Sequence, residues 1–311
     1  MKILLLGTKG QLGWELQRTL QPLGSVVGCN YPEIDMADAD AIRQTIRRHQ
    51  PNVLINATAY TAVDKAESEP ERAKAVNTLG PAVLAEEARR LNTLLIHFST
   101  DYVFDGTKNK PYLETDTPNP LNVYGSSKLA GEQAIQSVGG LHLILRTAWV
   151  YSTRGNGFVS KVLQWARQNE TLKIVSDQIS NPTWARMLAE VTALVLARSG
   201  PDFASFFKEK SGMYHLAGNG YTSRFAWAQS ILENDPYPDE HIVRALEAAS
   251  TQDFPTPAKR PLFSALDCSL FEKTFGLRLP EWKEALELAM ILDEFAKRSD
   301  KHGVTYDLRL K

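Results

Sequence analysis

Residues 1–16, MKILLLGTKGQLGWEL, constrain the fold more than any other part of the 311-residue chain. Ile3 to Leu6 form an apolar run of four that closes on a glycine, whereas a secretory signal needs about 7 to 15 apolar residues and a membrane helix about 18 or more. A short apolar run of this kind is the pattern of a parallel strand buried on both faces, with the chain turning at Gly7. Gly7, Gly10 and Gly13 follow at G-x-x-G-x-x-G spacing, and WELQRTLQPLG then keeps apolar residues at helical period until Gly24. Strand, glycine turn and helix in that order is the context in which such glycines bind a dinucleotide. Gly7 allows the tight turn, Gly10 lets backbone N–H groups approach a pyrophosphate, and Gly13 lets the helix sit close on the strand. The helix N-terminus adds a partial positive charge. Glycines also serve ordinary turns, so the rest of the chain has to supply the sheet.

It does so by alternation. SVVGCN reads as a second strand, ADADAIRQTIRRHQ as a helix, PNVLINATA as a strand, and PERAKAVNTLGPAVLAEEARRLN as a long helix or a broken pair. TLLIHFSTDYVF and LHLILRTAWVY supply two more buried strands, the second preceded by the helix SSKLAGEQAIQS. Repeated βα units predict an α/β fold, a Rossmann-type doubly wound parallel sheet with right-handed crossovers, whose ligands lie beyond the carboxyl ends of the strands. The Rossmann domain is expected over 1–148, with segments near 172–178 and 213–232 returning to it. A smaller, mainly helical substrate-binding domain is expected over 149–171, 179–212 and 233–295, and a tail over 296–311.

Charge narrows the ligand class. With 35 basic and 36 acidic residues the chain has no field favouring nucleic acid or anionic lipid, so neither nucleic acid nor a membrane is expected as a partner and a small molecule is. Two cysteines, Cys29 and Cys268, make no disulfide framework and fit a reducing cytoplasm. The six histidines form no ligand cluster, and no metal is expected. Trp14, Trp165, Trp227 and Trp282 read as packing residues.

Two strand ends carry chemistry. Ser99 and Thr100 close the strand LLIHF, and Tyr124 and Lys128, four apart, share one face of the next helix. A nearby ammonium favours the phenolate of a tyrosine, and a strand-end hydroxyl can bond the same substrate oxygen. A lone Y-x-x-x-K pair occurs by chance on many helices. Its position after a glycine fingerprint and a Ser-Thr strand end, within one doubly wound unit, points to catalysis.

GTKGQLG, NATAYTAVDKAESEP, AVN, STDYVFDG, PLNVYGSSKLAGE, LRTAWVY, QISNPTWA and KRPLFSALD follow one another in that order. Through them the chain, from residue 1 to about 290, resembles the extended short-chain dehydrogenase/reductase family and, within it, the dTDP-4-dehydrorhamnose reductase branch. The resemblance implies hydride reduction of a 4-keto group on a thymidine-diphosphate-linked deoxysugar. Thr100 would orient the carbonyl, Tyr124 protonate the forming alkoxide, and Lys128 hold the nicotinamide ribose and lower the Tyr124 pKa. It also implies cofactor contacts at Gly7, Lys9, Gly10, Gln11, Leu12 and Gly13 around the pyrophosphate, at Asp35 and Met36 beside the adenine, and at Ala57, Ala59, Tyr60 and Asn77. Substrate contacts would be Thr100, Asp101, Tyr102, Trp149, Asn181, Thr183 and Arg260. Asn30 departs from an NAD-type site, which places an acid at the end of the second strand for the ribose 2′-hydroxyl; NADPH is therefore expected as preferred or equal, with NADH accepted. Relatives often dimerise, so a homodimer is an expectation of the resemblance, although no heptad or apolar stripe identifies an interface. Three alternatives stay open: a reductase for a related 4-keto sugar nucleotide, a dehydratase or epimerase, and a non-catalytic binding module like the regulatory subunit of methionine adenosyltransferase. Dehydratases place an Asp-Glu pair after the strand-end Thr, whereas here Asp101 is followed by Tyr102.

Overall fold

The computed structural model describes residues 1–200 and 202–301. The chain begins with β1 (Lys2–Leu6), α1 (Gln11–Thr19), β2 (Ser25–Cys29), α2 (Ala39–His49) and β3 (Val53–Asn56). Next come α3 (Val63–Ala66), α4 (Pro70–Lys74), α5 (Gly80–Arg90), β4 (Leu94–Thr100), α6 (Val123–Val138) and β5 (His142–Thr147). The second half comprises β6 (Val150–Tyr151), α7 (Phe158–Ala166), β7 (Thr171–Val175), β8 (Ile179–Ser180), β9 (Thr183–Trp184), α8 (Ala185–Arg198), α9 (Phe203–Lys210) and β10 (Gly212–His215). It ends with β11 (Thr222–Ser223), α10 (Arg224–Glu233), β12 (Ala245–Ala249), α11 (Ser269–Phe275) and α12 (Trp282–Lys301).

Six strands form one sheet in the order β10-β5-β4-β3-β1-β2, every pair parallel. The order reverses between β1 and β3, which makes that crevice the place where a doubly wound sheet takes its ligand. Burial on both faces explains the unbroken apolar strands. Ile3 and Leu5 pack towards Leu16 of α1, Leu188 of α8 and Phe271 of α11. Leu4 and Leu6 pack the other way, towards Ile42 and Ile46 of α2, Leu84 of α5 and Ile135 of α6. A second apolar cluster joins Val159 and Val162 of α7, Trp227 and Ile231 of α10, and Trp282 and Leu286 of α12.

The long helical stretch after β3 is one path with a π-helical turn, Ala75–Leu79, between α4 and α5. The returning strand YHLA joins the main sheet beside β5. The segment 172–178 does not: β7 pairs with β12 in a separate two-stranded sheet. Its alternating exposure suits a sheet wetted on one side rather than a doubly covered one. Likewise α8 and α9, expected in the substrate-binding domain, put Leu188, Val191, Val195 and Phe207 into the core of the main sheet. Helix α12 continues to Lys301, so 296–301 extend a helix, and the remainder of the expected tail lies outside the described residues.

Candidate active site

The turn after β1 is built by its glycines and by Asn30. Gly7 has φ +93° and donates its N–H to the Cys29 carbonyl at 2.9 Å, fastening the turn to the end of β2. A Cβ on Gly13 would stand 2.0 Å from the Gly7 carbonyl oxygen, so α1 seats directly on the turn only because that atom is missing. Gly10 begins α1 without a side-chain cap, leaving first-turn N–H groups for an anion. Asn30 accepts the Lys9 N–H at 2.9 Å, and its amide donates to Thr8 Oγ1. Its side chain braces the turn from the end of β2, the position where an NAD-type site places an acid.

Lys9, Gly10, Gln11 and Leu12 line one side of a cleft of about 670 Å³. Ala57 and Ala59 line the β3 side, and Ser99, Thr100, Asp101, Tyr124, Lys128, Thr147 and Trp149 the floor and far wall. Gln11 Oε1, Ser99 Oγ and Thr147 Oγ1 are buried here without a hydrogen-bond partner within the protein. Buried polar atoms of this kind need partners. Together with the uncapped helix start they fit a dinucleotide bearing phosphates, ribose hydroxyls and a carboxamide.

Helix α6 brings in Tyr124 and Lys128. Asn122 caps it by accepting the Gly125 N–H at 2.8 Å, while donating to the Lys259 carbonyl at 2.7 Å. A Cβ at Gly125 would lie 2.2 Å from the Tyr102 carbonyl oxygen, so the glycine after Tyr124 lets α6 press against the strand-end turn. The Tyr124 ring meets Tyr102 edge-on at 5.8 Å. Burial pushes the Tyr124 phenol well above its ordinary value, and a hydrogen bond with Thr100 partly offsets this. Burial pushes Lys128 down to about 8, with Glu132 acting against it. Lys128 Nζ donates to the Phe98 carbonyl at 2.7 Å and lies 3.0 Å from His97 Nε2. The groups acting on Tyr124 are Thr100, Asp101 and Tyr102, so the expectation that Lys128 lowers its pKa is not met: the amine is turned to β4.

Other expected contacts are braces. Asn77, in the π-helical turn, accepts the Tyr60 N–H at 2.8 Å and donates to the Tyr60 carbonyl at 3.1 Å and to Ser127 Oγ at 3.0 Å. It clamps the loop after β3 to α6, and Tyr60 turns its hydroxyl away to Glu69 at 2.7 Å. Met36 is buried against Gly80, and Asp35 accepts the Ala37 N–H at 2.9 Å beyond β2, so neither lines the cleft. Asp101 accepts from Ser180 at 3.0 Å, from Thr100 at 3.2 Å and from Ser264, tying the β4 end to the second half. Burial raises its pKa.

Asn181 and Thr183 are corrected as substrate contacts. Asn181 donates to the Gly220 carbonyl at 2.8 Å and accepts the Leu266 N–H at 2.7 Å; Thr183, with no exposed surface, accepts the Gly218 N–H at 3.0 Å. Their polar atoms are committed to backbone. Arg260 pairs with Asp64 at 2.7 Å and lines a second hollow of about 470 Å³ with Arg224, Lys161, Lys173, Phe158 and Trp165. Trp149, at φ +38°, stacks on Trp227 at 5.4 Å, and the Arg224 guanidinium lies over it at 3.8 Å. Sequence reasoning missed Arg224, marked only by following the helix cap Ser223, and His97, one apolar-strand residue among six histidines. Trp14 packs its ring between Arg18 at 3.0 Å and Arg154 at 3.4 Å. Among the described residues no three His, Cys, Asp or Glu side chains converge as a metal site requires. No helix among them is long and apolar enough to cross a membrane.

The family model described as the RmlD substrate binding domain matches residues 1–295. A curated dTDP-4-dehydrorhamnose reductase of Escherichia coli (strain K12) is 41% identical over 91% of this chain and 95% of its own length. Among solved structures, a dTDP-4-dehydrorhamnose reductase of Clostridium acetobutylicum superposes with a TM-score of 0.86 at 34% identity, covering 94% of this chain and 100% of its own. That of Bacillus anthracis, in complex with NADP, gives 0.83 at 30% identity, covering 94% and 99%. The cleft at the β1/β3 switch point thus sits in a fold shared with these proteins along nearly the whole chain, and the chain belongs to the RmlD family, whose curated members it matches as dTDP-4-dehydrorhamnose reductases.

Proposed function

We propose that the protein reduces dTDP-4-dehydro-6-deoxy-L-mannose (dTDP-4-dehydro-L-rhamnose) to dTDP-L-rhamnose, with NADPH as hydride donor and NADH accepted, as a step in making rhamnose precursors. The observation that carries this is the meeting of Thr100, Tyr124 and Lys128 in the same cleft as the glycine turn. The names of the relatives, and the NADP held by the Bacillus anthracis structure, support substrate and cofactor. Cytoplasmic action and a homodimeric state belong to the same reading and rest on the family resemblance.

The first turn of α1, Gln11 and the loop at Ala57 and Ala59 hold the cofactor, which when bound supplies the hydride. Lys128 is placed to grip the nicotinamide ribose. Thr100 and Tyr124 line the same cleft, so both hydroxyls can meet one carbonyl oxygen. Burial keeps Tyr124 protonated across the ordinary pH range, the state a proton donor needs, and Thr100 holds the developing oxyanion. The second hollow suits the nucleotide: Arg224 offers paired N–H donors to diphosphate oxygens, Arg260, itself paired with Asp64, adds positive charge, and Phe158 and Trp165 offer faces for a base. The absence of a Glu after Asp101, and the commitment of the Asp101 carboxylate to Ser180 and Ser264, argue against dehydration.

Replacing Tyr124 by Phe, or Lys128 by Met, is expected to lower turnover at least about a hundredfold, the scale of a lost general acid. For Tyr124→Phe, NADPH binding measured by fluorescence should persist. Near-normal turnover in either variant would overturn these roles.

A further inference from the structure

His97 lies in the middle of β4 with no exposed surface, one ring nitrogen against the catalytic lysine and the other against Asn56. Three contacts fix where its proton sits. Asn56 Oδ1 accepts the backbone N–H of Thr58 at 3.0 Å. A backbone N–H can only donate, so that atom is the oxygen and the amide nitrogen is the one facing His97 Nδ1 at 3.0 Å. An amide nitrogen also only donates, so Nδ1 must accept and carry no proton. The ring is neutral, since burial holds its pKa well below 6.5, and its one proton is therefore on Nε2, directed at Lys128 Nζ 3.0 Å away.

An ammonium has three donors and no acceptor, whereas a neutral amine keeps one lone pair. With Nε2–H as donor, Lys128 accepts from His97, donates to the Phe98 carbonyl at 2.7 Å and keeps one N–H for the cleft. We propose that His97 is a positioning residue for Lys128: Asn56 locks its proton on Nε2, and Nε2–H favours the neutral amine of Lys128 over its ammonium. Protonating Lys128 sets two donors against each other, and moving the ring proton to Nδ1 only transfers that conflict to Asn56. Burial acts in the same sense. The other groups around Lys128 are Tyr124 and Glu132 on its own helix and Asp101 beyond β4. Glu132 is bound by Arg146 of β5 at 2.6 Å. On the helices packed against α6, Asp64 pairs with Arg260, Lys65 with Glu69 and Arg72 with Asp35, while Glu71 and Lys74 are also carried on α4.

The catalytic consequence rests on the proposed reductase reading. A lysine that exchanges its proton near neutrality can return one to the Tyr124 phenolate left after each turnover, because burial makes that phenolate the stronger base. Lys128 carries the proton below its midpoint and lacks it above, so turnover should fall as the pH rises through that midpoint.

Asn56→Asp tests the lock. A carboxylate accepts from both Thr58 and His97 Nδ1–H, moves the ring proton to Nδ1 and frees the Nε2 lone pair for an ammonium. In the full-length protein, ring ¹⁵N spectra should show His97 protonated on Nε2 in the wild type and on Nδ1 in the variant. The Lys128 ¹³Cε titration, assigned by its loss in Lys128→Met, should move upward by about one unit or more. His97→Gln, which can turn its amide oxygen to Lys128, should also raise the midpoint and serves if Asn56→Asp does not fold. A wild-type proton on Nδ1, or an unchanged Lys128 midpoint in a folded variant, would overturn the proposal. These spectra need no substrate, so absent turnover with the expected shifts would reject the reductase reading and leave the lock standing.

Discussion

Burial moves Tyr124 and Lys128 in opposite directions, phenol up and ammonium down, because in each it is the charged form that loses water. The same cause acts on two histidines. His97 lies well below 6.5, and His215, enclosed beside Arg146 with its Nδ1 at 3.1 Å from the Tyr112 carbonyl, is pushed down to about 3. Both stay neutral in the folded state while the unfolded chain protonates them below 6.5. Their stabilising effect is therefore complete above 6.5 and is lost as the pH falls towards their folded values. Unfolding free energy from urea titrations should decline between pH 6.5 and 5 by about 1.4 kcal/mol per unit for each ring. His215→Gln should remove one ring's share of that slope, and an unchanged slope would contradict the assignment. At this scale the sequence displayed the strand-end pair Ser99 and Thr100 and the pair Tyr124 and Lys128 through order and spacing, and the family resemblance chose Thr100. It could not show that Asn77, Asn181 and Thr183 spend their polar atoms on backbone, because a side chain's partners across the fold leave no local trace. His97 was hidden for the same reason: its meaning comes from Asn56, 41 positions away.

Among the elements, the β1–α1 unit was legible because a buried strand, a glycine turn and an amphipathic helix each leave a local pattern. The structure separates what its glycines do. A methyl on Gly13 would lie 2.0 Å from the Gly7 oxygen, whereas one on Gly10 would meet the same oxygen at an accommodating 3.4 Å. Gly13→Ala should thus cost about 1 to 3 kcal/mol, with weakened NADPH binding as α1 is pushed off the turn. Gly10→Ala should stay within about 0.5 kcal/mol of wild type. Thermal melting of the two variants checks this, and equal Tm values would contradict it. The π-helical turn was not legible. It places Asn77 where Gly131 of α6 approaches so closely that a Cβ would be 2.1 Å from the Asn77 carbonyl oxygen, a fit made by two elements together.

Across the whole molecule, the second half is pinned to the strand ends that carry the chemistry. Asp64 holds Arg260, Lys259 receives Asn122, and Asp101 receives Ser180 and Ser264. The cleft is thereby bounded by the doubly wound sheet on one side and by the cluster around Trp227 on the other. The parallel, doubly wound character of the sheet up to β5 could be read from the alternation of βα units. The destinations of β7 and α8 could not, since an apolar stripe states that a helix is covered without stating by what. The central claim is that this assembled cleft is a reductase site. Its most direct test is the fall in NADPH absorbance when the purified protein meets dTDP-4-dehydro-L-rhamnose, with the product sugar identified afterwards. One NADPH should be oxidised per sugar, with dTDP-L-rhamnose as the product; NADPH that binds without being oxidised, or a different product sugar, would contradict a reductase site.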